Sequence, residues 1–110
     1  MIVAVKIYNP DKEEFMCKGG GWNKKGKSWS SLKDAKLAIC PNYGYSYTEV
    51  NSEFWLFSDD GKLEKIPVYH YFIDYFERQI KESRYDSYKE KNTKRLKELT
   101  DYLKVKGKVI

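Results

Sequence analysis

The chain has 110 residues, which is room for one domain built on one core. It is 41% hydrophobic and 16% aromatic, too apolar for a disordered chain although 34% of its residues are charged. A net charge of +5 at pH 7 favours acidic partners: nucleic acid, nucleotides, phosphates or an acidic protein face.

Ile2 to Tyr8 alternates with apolar residues on both faces and reads as a central or well-covered strand. Asn9-Pro10-Asp11-Lys12 is a turn, and Glu14 to Cys17 the strand that returns from it. Gly19-Gly20-Gly21 breaks regular structure and suits a loop with positive φ or a close approach to the backbone. Trp22 follows, then a cationic turn, Asn23-Lys24-Lys25-Gly26-Lys27, then Ser28-Trp29. Ser30 and Ser31 are N-cap candidates for a short helix, Leu32 to Ile39, with Asp34 in its first turn and Pro41 at its end. Asn42 to Tyr45 reads as a Tyr/Gly loop. Tyr47 to Val50 and Glu53 to Ser58 read as strands. Asp59-Asp60-Gly61 is a hairpin turn, and Lys62 to Ile66 the strand leaving it.

Pro67 is suited to a first helical position, and the period then changes. Val68, Phe72, Tyr75, Phe76 and Ile80 share one helical face; Leu96, Leu99, Tyr102 and Leu103 share another. Ser83 to Tyr88 lacks an apolar face, so the segment is one long helix crossing solvent or two helices with a break there. Thr93 is a candidate cap for a second helix, and Gly107 a stop. The expectation is a single α+β domain over residues 1–110. Residues 1–66 would be mainly β, a small antiparallel sheet of hairpins with a short helix near 32–39, and residues 67–104 helical.

Most of the positive charge is lysine; the arginines are Arg78, Arg84 and Arg95. Lysine is a point charge without the bidentate fork of base readout, which argues against a sequence-specific DNA reader. No stretch approaches the ~20 apolar residues that span a membrane. No signal-peptide pattern follows Ile2 to Tyr8, so Cys17 and Cys40 are expected as free thiols in a reducing cytoplasm.

His70, beside Tyr69 and Tyr71, has no nucleophile and orienting group placed with it by the sequence. The carboxylate pairs Glu13-Glu14 and Asp59-Asp60 fit turns, and Asp74 with Glu77 fits an exposed helix face. Cys17, Cys40 and His70 lack zinc-site spacing. The reading is therefore a binding protein, not an enzyme, with no cofactor and no metal. The glycine segment lacks the Gly-Lys-Ser/Thr ending of a P-loop. Its glycines, lysines and tryptophans nonetheless suit a phosphate with an attached base. In that reading Lys24, Lys25, Lys27 and Arg78 or Arg84 neutralise phosphate, and Trp22, Trp29 or a tyrosine stacks on the base. The alternative is that the glycines are a connector and both tryptophans fill the core beneath it. In the helical half, Tyr69, Tyr71, Tyr75, Arg78, Arg84, Tyr85 and Tyr88 mix rings with guanidiniums, the composition of a protein-binding face. An amphipathic helical pair is also a common homodimerisation element.

Ile7-Tyr8-Asn9-Pro10, Phe15, Gly19-Gly20, Trp22, Lys24-Lys25-Gly26-Lys27, Trp29-Ser30 and Leu32 together resemble small phage-encoded accessory proteins. In these a hairpin leads into a Gly-Gly loop, a Trp, a Lys-Gly-Lys turn and a Trp-Ser helix start. Some are similar to counter-defence proteins that sequester nucleotide immune signals, including the sponge of the Thoeris signal. The resemblance covers about a third of the chain. The helix end departs from it, with Ala38-Ile39-Cys40 in place of the usual aliphatic residues. It implies a non-catalytic homo-oligomer in the cytoplasm of an infected bacterium, holding its ligand with aromatics, Arg and backbone. The matching positions are Gly19, Gly20, Trp22, Lys27 and Trp29. The lead expectation is sequestration of a phosphate-bearing nucleotide. The alternative is a protein that caps a host defence enzyme through the Tyr/Arg face. A third class is nonspecific nucleic-acid binding through the lysines.

Overall fold

A run of β-formers, apolar on both faces, builds the first strand, β1 (Ile2–Asn9), in a computed structural model that describes residues 1–41 and 44–108. Val5, Ile7 and Asn9 are buried on one face of it; Ala4, Lys6 and Tyr8 are half-buried on the other. The chain turns back into β2 (Glu14–Met16) and again into β3 (Trp22–Asn23). Helix α1 (Leu32–Ala38) follows, capped by Ser31, whose hydroxyl accepts the Asp34 amide. After the helical turn α2 (Tyr47–Val50) come β4 (Glu53–Ser58) and β5 (Leu63–Pro67), joined through Gly61 at φ 83°. Helices α3 (Val68–Glu82) and α4 (Asp86–Val105) complete the described chain.

The five strands form one antiparallel sheet in the order β3-β2-β1-β4-β5. The fold is α+β, with β1 at its centre and two hairpins flanking it. The chain divides into two compact units, Met1–Tyr69 and the residues from His70 onward. In the first, α1 packs on β1 and β4, and Val5, Ile7, Ala35, Val50, Phe54 and Val68 are fully buried. In the second, Phe72, Phe76, Leu99 and Leu103 are fully buried.

Asn9 is the large polar exception in the first core. It is 1% exposed and fully bonded: its amide donates to the Thr48 carbonyl (2.8 Å) and to Ser52 Oγ (3.1 Å), and its Oδ1 accepts the Lys12 amide (2.8 Å). One side chain thus ties the β1–β2 turn to the segment entering β4.

Several elements differ from the sequence reading. Tyr47–Val50 is a helical turn, not a strand. Ser46 Oγ accepts the Glu49 amide (3.2 Å) and donates to Glu49 Oε1 (3.1 Å), a capping box that overrides the β-propensity of Tyr47, Thr48 and Val50. Burial pushes the Glu49 carboxyl up from its ordinary value, against the Ser46 hydrogen bonds that pull it down. Pro67 closes β5 instead of opening α3; an edge strand tolerates its missing N–H. Thr93 caps nothing: it lies inside α4, where its hydroxyl donates to the Lys89 carbonyl (2.7 Å). The helical segment is two helices. Ser83 Oγ donates to the Tyr85 carbonyl (3.2 Å) and accepts the Tyr85 amide (3.4 Å), closing the break between them. Gly107, at φ 73°, does end α4: its amide donates to Lys104 and that of Lys108 to Leu103, a Schellman pair. Of the expected Tyr/Gly loop, Asn42 and Tyr43 lie outside the described residues.

Candidate functional site

The glycine segment is the connection between β2 and β3. The Gly20 amide donates to the Cys17 carbonyl (3.1 Å) and the Cys17 amide to the Gly21 carbonyl (2.6 Å). Gly19 and Gly20 both take positive φ, 88° and 94°, which side chains resist. Beyond β3 the chain is drawn back along the sheet. The Lys27 amide donates to the Met16 carbonyl (2.9 Å), and Trp29 and Val5 exchange both backbone hydrogen bonds (2.8 Å each). Trp29 is thereby fixed to the central strand by its main chain.

These connections enclose a cleft of about 250 Å³. Lys18, Gly19, Gly20, Lys27 and Trp29 line it with Met16, Cys17 and Ala38. The Lys27 ammonium lies 5.7 Å from the Trp29 ring centroid. From Phe15 to Lys33 the sequence carries lysines at 18, 24, 25, 27 and 33 and no acid, so the cleft sits in a cationic stretch.

The other expected site residues go elsewhere. Trp22 is half-buried opposite Met16 in the β2–β3 pair and does not line the cleft. Lys24 donates to the Glu13 carbonyl (3.1 Å). Lys25 is exposed, and its carbonyl accepts Lys6 Nζ (2.8 Å). Asn23 Oδ1 takes the amides of Lys25 (2.9 Å) and Gly26 (2.5 Å) and so shapes the basic turn. Arg78, on α3, and Arg84, between α3 and α4, are exposed and belong to the second unit. Lys18 and Cys17, which the sequence reading passed over, line the cleft; their signal was adjacency to Gly19.

On α3, His70, Asp74 and Glu77 are exposed and, with Ile73, line a shallow depression of about 440 Å³. Among the described residues no three His, Cys, Asp or Glu side chains form a group able to hold a metal ion. Cys17 and Cys40 are free thiols, both half-buried. Among the described residues no helix is long and apolar enough to cross a membrane.

A second group of side chains was not foreseen. Tyr8, Phe15 and Trp55 meet on the sheet face opposite Val5 and Ile7, with centroid separations of 4.9, 4.4 and 5.2 Å. Phe57 lies 6.4 Å from Trp55. Lys6 Nζ stands 5.1 Å from the Phe15 ring and Lys65 Nζ 4.5 Å from that of Trp55. No protein-family profile, curated protein or solved structure matches the chain.

Proposed function

We propose that the protein acts by stoichiometric binding, taking a phosphate-bearing nucleotide into the cleft between the glycine loop and Trp29, and that it serves a phage by withholding a nucleotide immune signal. The observation that carries this reading is the convergence of Gly19, Gly20, Lys27 and Trp29 on one cleft. Lys18 and Lys27 supply charge for phosphate, glycines without Cβ let an anion approach the main chain, and the indole offers a stacking face. At about 250 Å³ the cleft is slightly smaller than the ~300 Å³ at which ligand pockets usually begin. It suits a phosphate with one ring, the rest of the ligand extending outside. The counter-defence role rests on the resemblance of residues 7–39 to phage proteins of that kind.

The test is thermal melting of the purified chain against a panel of cyclic and ADP-ribose-type nucleotides, each recovered and checked for integrity. A ligand at one hundred times its Kd stabilises the folded state by about 2.7 kcal/mol, a clear rise in Tm. A shift for one nucleotide, returned intact and lost in Lys27→Glu or Trp29→Leu, supports sequestration. No shift across the panel, or turnover of the ligand, removes it.

One observation favours a second reading, a protein that caps a host defence enzyme. Tyr85 and Tyr88 are 66% and 56% exposed, stand 5.9 Å apart edge to face, and adjoin the exposed Arg84. Exposed aromatics beside an arginine are typical interface anchors. Its signature is one host protein co-purifying with the wild-type chain and lost from Tyr85→Glu and Arg84→Glu.

A further inference from the structure

We infer that the sheet face carrying Tyr8, Phe15 and Trp55 is a separate binding surface, a platform on which unpaired bases of single-stranded nucleic acid stack. The register builds it. Lys6 faces Trp55 across β1 and β4, and Trp55 faces Lys65 across β4 and β5, so one cross-strand row reads Lys6–Trp55–Lys65. The neighbouring row runs Phe15–Tyr8–Glu53. The Lys65 ammonium thus lies over the Trp55 indole and that of Lys6 over Phe15, while the Tyr8 and Phe15 rings stand 4.4 and 5.2 Å from the indole.

Three observations point to this occupant. The rings are half-buried, so Tyr8, Phe15, Trp55 and Phe57 each keep accessible surface while bracing one another. Ring faces accept any base, and an antiparallel sheet face with two or three such rings is a proven scaffold for splayed bases. The charge is complementary: Lys6 is held by the Lys25 carbonyl beside Phe15, and the exposed Lys65 lies over Trp55, where an incoming base takes the ring and the ammonium turns to the adjoining phosphate. Lysines without arginine forks give attraction without sequence readout. The one acid in these rows, Glu53, accepts the Trp55 indole N–H (3.3 Å) and fixes the ring's edge. The platform is distinct from the cleft: Phe15 points to this face, and Met16, which lines the cleft, to the other.

The experiment is fluorescence anisotropy of a labelled twelve-residue oligothymidylate titrated with the full chain at several salt concentrations. The expected result is saturable binding whose logarithm falls with log salt at a slope of about −1.4, two phosphates at ~0.7 each. Trp55→Leu should weaken it about fivefold or more. Trp55→Leu removes a packed ring, so the double variant Lys6→Ser/Lys65→Ser, checked by circular dichroism, provides the independent arm and should flatten the salt slope. Lys27→Glu, in the cleft, should leave oligonucleotide affinity within twofold. Absence of binding overturns the inference, as does equal affinity for the corresponding duplex, whose bases present no free faces. Loss of binding in Lys27→Glu with none in Trp55→Leu or the lysine double variant would also overturn it. The readout is independent of the nucleotide panel, so either proposal can fail alone.

Discussion

Gly26 lies so close to Phe15 that a side chain at position 26 would overlap the Phe15 Cβ and come within 3.0 Å of the Met16 carbonyl oxygen. Its φ of 65° would resist a side chain in any case. The basic turn is therefore pressed onto β2, and this contact sets where Lys25 and Lys27 emerge. Gly26→Ala should cost about 2 kcal/mol or more, the sum of left-handed strain and overpacking against main chain. Gly19→Ala, with nothing within 4 Å of the added methyl, should carry only the left-handed backbone strain of about 1–2 kcal/mol. Urea unfolding of both variants checks the difference; equal losses would mean that Phe15 yields to the methyl.

Removing the buried amide of Asn9 takes bonds from two segments. Asn9→Ala leaves the Lys12 amide without its side-chain acceptor and takes one of two side-chain donors from the Thr48 carbonyl, which should lower stability by about 1–3 kcal/mol. Ser52 keeps its bond to the Thr48 carbonyl (2.6 Å), so the loss should stay below that of a large core truncation. Phe54→Ala supplies that comparison, at about 3–5 kcal/mol. Equal losses would show that Asn9 acts as a packing residue alone.

Glu49 gives a pH dependence with a definite sign. Its carboxyl is raised by burial above the ordinary 4.5, so the folded chain holds the proton more tightly than the unfolded chain. The stability from this group is fully present below pH 4.5 and is lost as pH rises through the raised folded value. Glu49→Gln keeps a capping-box side chain at that position and removes the titration. The stability of the variant relative to wild type should therefore climb with pH across that window and then level off. A flat difference in unfolding free energy from pH 4 to 8 would exclude the effect.

Thr93→Ala separates a capping role from an interior one. Loss of an N-cap costs about 1 kcal/mol. Inside α4, alanine is the better helix former, so the substitution should be neutral or stabilise by a few tenths of a kcal/mol. Thermal melting distinguishes the two, and a fall in Tm of several degrees would contradict the position of Thr93 within the helix.

Much of the fold was legible because single segments declared themselves. Glu53 to Ser58 carries the unbroken apolar run Phe54-Trp55-Leu56-Phe57, Asp59-Asp60-Gly61 turns, and Val68 to Ile80 changes to a helical period. The misreadings came where two local rules competed. At Tyr47 to Val50, β-branched and aromatic residues masked the Ser46…Glu49 cap; at Pro67, a residue fit for a helix start served equally at a sheet edge. The cleft was half legible. Gly19, Gly20, Lys27 and Trp29 converge, but Trp22, Lys24 and Lys25 do not, because the Asn23 turn and the β2–β3 register direct them away. The ring cluster was not legible. Phe15 and Trp55 are far apart in sequence and meet only because β4 pairs with β1 on the flank away from β2.

The two edges of the sheet differ from its centre in a way that bears on crowding. β3 is two residues long, and β5 presents Glu64 and Lys65 to solvent and ends in Pro67, which has no amide hydrogen to offer. Neither edge is a good template for a strand from another molecule. A sheet finished on both sides disfavours the addition of a strand from a second copy, the step by which β-rich chains polymerise into fibrils when concentrated.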